Sequence, residues 1–232
     1  MPLTYATYVT SLANMMVVPV TDPGFQAMIP NCLDDAELFI QRKLDLVDST
    51  VRDPSSTLTT GTRNFNMPTS NGTYIVVEQL NVITPAGTTD PNSGTRVPLI
   101  PASIDTLDFL WPSSNGSTVP VYFSLMDQDV AIVGPWPDQA YTVEVVGTQR
   151  FTPLYVNQTT SILSTFFPDL LLAASLVFAS GYQRNFGSMA DDPKTAMSWK
   201  QHLDDLLVDA QTEEARKKFL IGHNVTPQPK AG

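Results

Sequence analysis

Cysteine, histidine and positive charge are all scarce in this chain of 232 residues, and each scarcity closes a line of interpretation. The single cysteine, Cys32, permits no internal disulfide, which excludes a secreted disulfide scaffold. Thirteen basic residues stand against 23 acidic ones, a net charge of −10, so the chain does not coat nucleic acid by neutralising phosphates. That charge still suits a surface past which DNA slides, because a like-charged wall repels phosphate. Long apolar runs are missing too. From Leu170 to Ala179 every residue but Ser175 is apolar, yet a helix of that length rises about 15 Å against roughly 30 Å of hydrocarbon. Arg184, Asp191 and Asp192 follow closely. The opening "MPLTYATYVTSLANMMVV" has neither a basic leading region nor an unbroken apolar run, so it does not read as a secretory leader. A soluble chain with no membrane span is expected. The sequons at Asn71, Asn115, Asn157 and Asn224 are then chance matches in a Ser- and Thr-rich sequence.

Chemistry is also lacking. There is no Gly-rich phosphate loop, no G-x-S-x-G elbow and no H-E-x-x-H pair. His202, with Asp205 three residues on, reads as a solvated helix histidine, and His223 has no Cys, Asp or Glu near it to complete a ligand set. Cys32 lies beside an apolar stripe with no basic partner before Arg42, the setting of a core thiol. Asp127 and Asp129 belong to the tight turn "MDQDV", and Asp191 and Asp192 precede Pro193 as helix caps. No catalytic, cofactor-binding or metal-ligating residue is predicted, and the chain reads as structural or binding.

What is present is an ordered change of texture. Hydrophobic content of 42% with 16% charge is enough for a folded core. Residues 3–17 are a helical candidate with Tyr5, Tyr8, Leu12 and Met15 on one stripe. Asp22 then caps a second helix with Pro23 in its first turn. Its stripe is Ile29, Leu33, Ala36, Ile40, Leu44 and Val47, with Asp34, Asp35, Glu37 and Arg42 off it. From about residue 53 the composition is that of strands and turns. "TYIVVEQLNVI" reads as a strand and "RVPLIP" as a short edge strand. Ser103 caps a helical turn or two closed before Pro112. "VPVYFSLMDQDVAIVGPWP" is a hairpin and "AYTVEVVGTQR" an alternating strand. Helix returns with Pro168 in a first turn, capped by Ser164 or Thr165, and again from Pro193 to Phe219. The last helix has Ala196, Trp199, Leu203, Leu206 or Leu207, and Ala210 on its buried face. The class is α+β: a bundle of about four helices from residues 1–52 and 153–219, an inserted antiparallel β region at 53–152, and an extended tail at 220–232. A helix apolar most of the way round, such as the one after Pro168, must be surrounded.

Three stretches carry a resemblance: "DDAELFIQRKLDLVDSTVRD" (34–53), "YFSLMDQDVAIVGPWPDQAYTVEVVGTQR" (122–150) and "FFPDLLLAASLVFASGYQRNFGSMADDPKTAMSWKQHLDDLL" (166–207). In this order the chain resembles the head–tail adaptor proteins of short-tailed bacteriophages, and the F-P-D-L-L-L-A-A and D-D-P-K-x-A-x-S-W runs are its specific part. The resemblance implies a ring, commonly of twelve copies, that joins the portal of a DNA-filled head to the tail nozzle and lines part of the DNA exit channel. It implies a virion protein made in the host cytoplasm, with tail fibres or spikes as further partners and DNA passing without specific binding. It also implies a C-terminal extension that docks on the portal, here Arg216, Lys217, Lys218, Phe219, Leu220 and Ile221. Leu171, Ala174, Val177, Phe178, Gly181 and Tyr182 are expected at helix-packing or subunit contacts of the apolar helix: one bundle of four helices could surround it, and the resemblance adds a neighbouring copy as cover for its second face.

Two readings fit the basic end equally well. Residues 194–232 hold six basic and five acidic groups against seven and eighteen in 1–193. The cations at 216–218 suit either an acidic partner or the dipole of a helix C-terminus. Two other classes compete with the adaptor. One is a carbohydrate- or receptor-binding module using Trp111, Tyr122 and Trp136 as a platform. The other is a hydrolase using a dispersed pair such as Asp127 and Asp138.

Overall fold

The computed structural model describes residues 2–69, 72–157, 159–182 and 193–225. It divides into two compact units, one of residues 1–48 with 152–232 and one of residues 49–151.

The first unit is helical. Helix α1, Tyr5–Met16, starts on Thr4, whose hydroxyl accepts the Thr7 N–H at 3.3 Å. It buries Tyr8, Leu12, Ala13 and Met16, so the stripe is turned by one residue from the expected one and Met15 faces out. Helix α2, Pro23–Lys43, begins as its sequence requires, with the Asp22 carboxylate accepting the Phe25 N–H at 2.8 Å and Pro23 in the first turn. Its buried face takes in Phe25, Ile29, Leu33, Ala36 and Ile40, and also Glu37, which the spacing had placed outside. Two short helices, α4 (Leu154–Asn157) and α5 (Ile162–Phe166), lead into α6 (Pro168–Tyr182), and α7 spans Pro193–Val225. Ser161 is the cap actually used in this region. It and Ser164 form a reciprocal capping box on α5, so the expected Ser164 or Thr165 cap on α6 is replaced by a separate short helix. Helix α7 continues through Val225, past the Phe219 at which the pattern ended it. Residues 226–232 lie outside the described ones.

Helix α6 is surrounded by its own chain. It packs against α1, α2, α5 and α7, and Leu170, Leu171, Ala173, Ala174, Ser175, Leu176 and Ala179 are all buried. Leu171 and Ala174 are fully enclosed in the single copy, so no neighbour is needed to cover them. Within one copy, folding the two ends of the chain together brings α1, α2 and α7 onto that face. Val177 and Phe178 are half-buried, the latter edge-on to Phe39 at 5.9 Å between ring centres. The side chains of Gly181 and Tyr182 lie outside the described residues. Small residues set the closeness of the packing. Ser175 accepts the Tyr8 hydroxyl at 2.7 Å and donates to the Leu171 carbonyl at 2.6 Å, so its polarity is satisfied inside the core. Replacing Ala174 by Phe is expected to destabilise this unit by about 1–3 kcal/mol, because an added ring finds no space in a closed contact. An unchanged urea midpoint by helical circular dichroism would refute that packing.

The second unit is a pair of four-stranded sheets. The strands are β1 (Thr50–Thr57), β2 (Asn64–Asn66), β3 (Gly72–Thr84), β4 (Thr95–Pro98), β5 (Ile100–Pro101), β6 (Tyr122–Leu125), β7 (Val130–Gly134) and β8 (Thr142–Phe151). One sheet runs β1-β8-β3-β4 and the other β2-β7-β6-β5. Inner residues of both sheets, among them Tyr74, Leu80, Val82, Val143 and Val145 from one and Phe65, Phe123, Ala131 and Val133 from the other, make one hydrophobic core. Strand β1 accommodates Pro54 because it is an edge strand and its register slips between Asp53 and Ser56 at that point. "RVPLIP" is not one edge strand but two. Strand β4 edges the first sheet, the chain changes sheet at buried Leu99, whose N–H bonds the Leu80 carbonyl at 2.8 Å, and β5 edges the second. The β5–β6 pair is parallel and every other pair is antiparallel. Helix α3, Ile104–Leu110, capped by Ser103 as its sequence implies, joins β5 to β6.

Candidate functional site

No group of His, Cys, Asp and Glu able to hold a metal ion occurs among the described residues. None of the described helices is long and apolar enough to cross a membrane. Cys32 is fully buried, and burial pushes its thiol up to about 12, the condition of an inert core thiol. His202 is exposed and lies against the Trp199 ring at 6.1 Å. The side chain of His223 lies outside the described residues.

The residues suggested for competing functions are occupied by structure. Asp127 uses one carboxylate oxygen to accept the N–H groups of Asp129 and Val130, both at 2.8 Å, and so holds the β6–β7 turn. Asp138 accepts the Tyr141 hydroxyl at 2.8 Å. Trp111, Tyr122 and Trp136 do come together, but as joinery. The Trp111 and Tyr122 rings are 5.6 Å apart, and the Trp136 indole N–H bonds the Trp111 carbonyl at 3.0 Å. The Arg63 guanidinium lies 5.5 Å from the Trp136 ring while pairing with Asp108 at 2.7 Å. This knot fastens α3, through buried Leu107 and half-buried Trp111, onto the second sheet.

The end of α7 is the other candidate, and its cations divide by role. Glu214 is buried on α7 and accepts the backbone N–H of Val47 at 2.8 Å, so it receives the chain where it leaves α2. Lys217 pairs with Glu213 and Glu214, each at 2.8 Å, and its ammonium lies 5.1 and 5.6 Å from the rings of Phe167 and Phe166. Burial acts against its charge, but the hydrogen bonds it donates to both glutamates, with their negative charge, outweigh this and hold its pKa above the usual value. Lys218 pairs with Asp45 on the segment after α2. Lys217 and Lys218 are therefore used inside the chain. Arg216 is exposed, Phe219 is 65% exposed, and Phe166, beside Lys217, is 54% exposed. The side chains of Leu220 and Ile221 lie outside the described residues. Phe166 and Glu214 were missed in the sequence reading. The spacing of Glu213 and Glu214 from Lys217, four and three residues, is the signal that could have indicated the internal pairing.

Glu37 is the second residue that spacing misplaced. It is 4% exposed on α2, and its two oxygens accept the Leu154 N–H at 3.2 Å and the Ser161 hydroxyl at 3.5 Å, binding α2 to the segment that returns from the β unit. Burial pushes its carboxyl up to about 7 in spite of these donors.

No curated protein matches the chain. A family model described as "SU10 adaptor protein" matches residues 3–221, a span that takes in α1, both sheets and most of α7. With the match running through both units, the chain belongs to the SU10 adaptor protein family, a family of phage adaptors.

Proposed function

We propose that this chain is a non-enzymatic structural protein of the virion that forms a ring, commonly of twelve copies, between the portal and the tail nozzle at the head–tail junction. The observation that carries the reading is the family match across residues 3–221, which includes the helices from both ends of the chain as well as the β unit. The net charge of −10 supports a channel wall that DNA passes without being gripped. On this reading the exposed end of α7, with Arg216 and Phe219, faces the portal, and Lys217 and Lys218 keep that end in place.

The test is assembly with purified portal rings, followed by sizing and electron microscopy. The parent chain is expected to add a ring to the portal. Truncation after Phe219, or Arg216→Glu, is expected to weaken docking by about tenfold or more with melting unchanged, since neither removes a described ion pair. Lys217→Ala should do the reverse, lowering the melting temperature first. Undiminished portal binding by both docking variants would remove this end of α7 from the contact. A glycan-array signal without portal binding would replace the adaptor reading altogether.

A further inference from the structure

Two Asn-Gly pairs occur in the chain, Asn71–Gly72 in "SNGT" and Asn115–Gly116 in "SNGS". Such a pair is chemically special. Glycine has no side chain to shield its amide nitrogen, and the short asparagine side chain reaches the backbone that follows it. With serine before each pair and a hydroxyl residue after it, the sequence treats the two alike. The fold does not.

Gly72 opens β3 and is held there. It is buried, it pairs with Phe151 of β8, and its N–H bonds the Thr69 carbonyl at 3.4 Å. The Arg150 backbone stands where a side chain on Gly72 would go. Gly116 lies instead at the tip of the loop between α3 and β6. Trp136 pins both ends of that loop. Its indole N–H bonds the Trp111 carbonyl at 3.0 Å, and its own carbonyl accepts the Thr118 N–H at 2.9 Å. Between those pins, Pro112, Ser113, Ser114, Asn115 and Gly116 are all exposed. The Ser117 hydroxyl donates to the Ser114 carbonyl at 2.7 Å and so closes the tip without using Gly116. Among the described residues neither the Asn115 side chain nor the Gly116 N–H has a hydrogen-bond partner. Its chain neighbours apart, nothing lies within 4 Å of a Cβ built on Gly116.

We infer that Asn115–Gly116 is a site of spontaneous deamidation, with water as the co-reactant, and that the fold withholds Gly72 from the same reaction. The Gly116 nitrogen bonds to the Asn115 Cγ, the Cγ–Nδ2 bond breaks, and Nδ2 leaves as ammonia with the proton of the Gly116 N–H. Water then opens the cyclic imide at either of its carbonyls. Opening at Cγ leaves aspartate in a normal backbone. Opening at the main-chain carbonyl leaves isoaspartate, whose backbone is longer by a methylene. Either product is a carboxylate, so the loop gains a negative charge at neutral pH. Ring closure needs the glycine nitrogen free to turn toward the side chain. Pairing with β8 denies that motion to Gly72, and no contact denies it to Gly116. The pins at Trp111 and Thr118 lie outside the reacting pair, so the β unit keeps its packing while the tip changes.

This inference is independent of the ring reading. The experiment ages the full chain in warm, mildly alkaline buffer, once folded and once in urea, and follows both pairs by peptide mass spectrometry. In urea the two pairs should convert at similar rates. In the folded protein Asn115 should convert at close to its rate in urea, and Asn71 about tenfold or more slowly. The aged protein should show a more acidic species on ion exchange, with an unchanged melting temperature. Asn115→Gln should remove most of that species. Equal conversion of both pairs in the folded protein overturns the inference, as does an Asn115 protected as strongly as Asn71. An acidic species undiminished in Asn115→Gln also overturns it, by placing the reaction elsewhere.

Discussion

Gly147→Ala is expected to destabilise the β unit by about 4 kcal/mol, among the largest effects of any single methyl in the chain. A Cβ built on Gly147 would stand 2.2 Å from the Val76 carbonyl oxygen and 3.0 Å from the Val77 Cα, so its two nearest neighbours are backbone of the adjacent strand, with the buried Tyr74 ring next at 3.2 Å. The close approach has a structural cause. Strand β3 slips register against β8 between Tyr74 and Val76 and again between Val77 and Gln79, and the bulged backbone folds over β8 at Gly147. Gly147 also pairs with Val51 of β1, so β8 is flanked on both edges there and cannot shift to make room. The measurement is urea unfolding followed by the fluorescence of Trp111 and Trp136, which both belong to this unit. A midpoint within error of the parent's would refute the bulged register.

That glycine shows how far local pattern reaches. "AYTVEVVGTQR" alternates well enough to be read as a strand, and β8 is that strand. Alternation says nothing about a bulge in β3, seventy residues away in the sequence. The same division holds at "RVPLIP". Its prolines predict an edge, and both β4 and β5 are edges. Only the packing of Leu99 between two sheets splits the segment.

A second large effect is expected from pH. The Glu37 carboxyl is raised from 4.5 to about 7, first by burial, against the Leu154 N–H, with the nearby charge of Asp34 raising it further. The folded helical unit therefore holds a proton that the unfolded chain has released. The sign is fixed by that difference: this contribution is fully present below about pH 4.5 and is lost as pH rises through about 7, a change on the order of 3 kcal/mol. Urea unfolding by helical circular dichroism at about pH 5 and about pH 8 should show the parent weaker at the higher pH from this group. Glu37→Gln resembles the protonated acid, with one acceptor and one donor end, and should flatten the difference between the two conditions. A Glu37→Gln variant whose pH dependence equals the parent's would show that the carboxylate is hydrated and ionised throughout. Spacing placed Glu37 outside because a helical period reports which residues share a face. It does not report how wide the covered face is, and here the segment carrying Leu154 and Ser161 widens it.

The sequence by itself determined the α+β class, the starts of α2 and α3 at Asp22 and Ser103, the β6–β7 hairpin, and the family, through runs of residues at 34–53, 122–150 and 166–207. It determined the absence of familiar catalytic motifs as well. All of these depend on residues close together in the chain: a cap and its helix, a turn and its strands, a contiguous motif. Tertiary structure alone decided what covers α6, why Lys217 and Lys218 are fasteners within the chain, and that β8 holds Gly72 while Gly116 is left at a loop tip. Each of these depends on which distant segment arrives, such as α1, α2 and α7 around α6 or Asp45 beside Lys218. An apolar helix announces that it must be surrounded, and a lysine that it will seek a carboxylate. Neither says where the partner lies, because burial and pairing are properties of space and periodicity is a property of the chain.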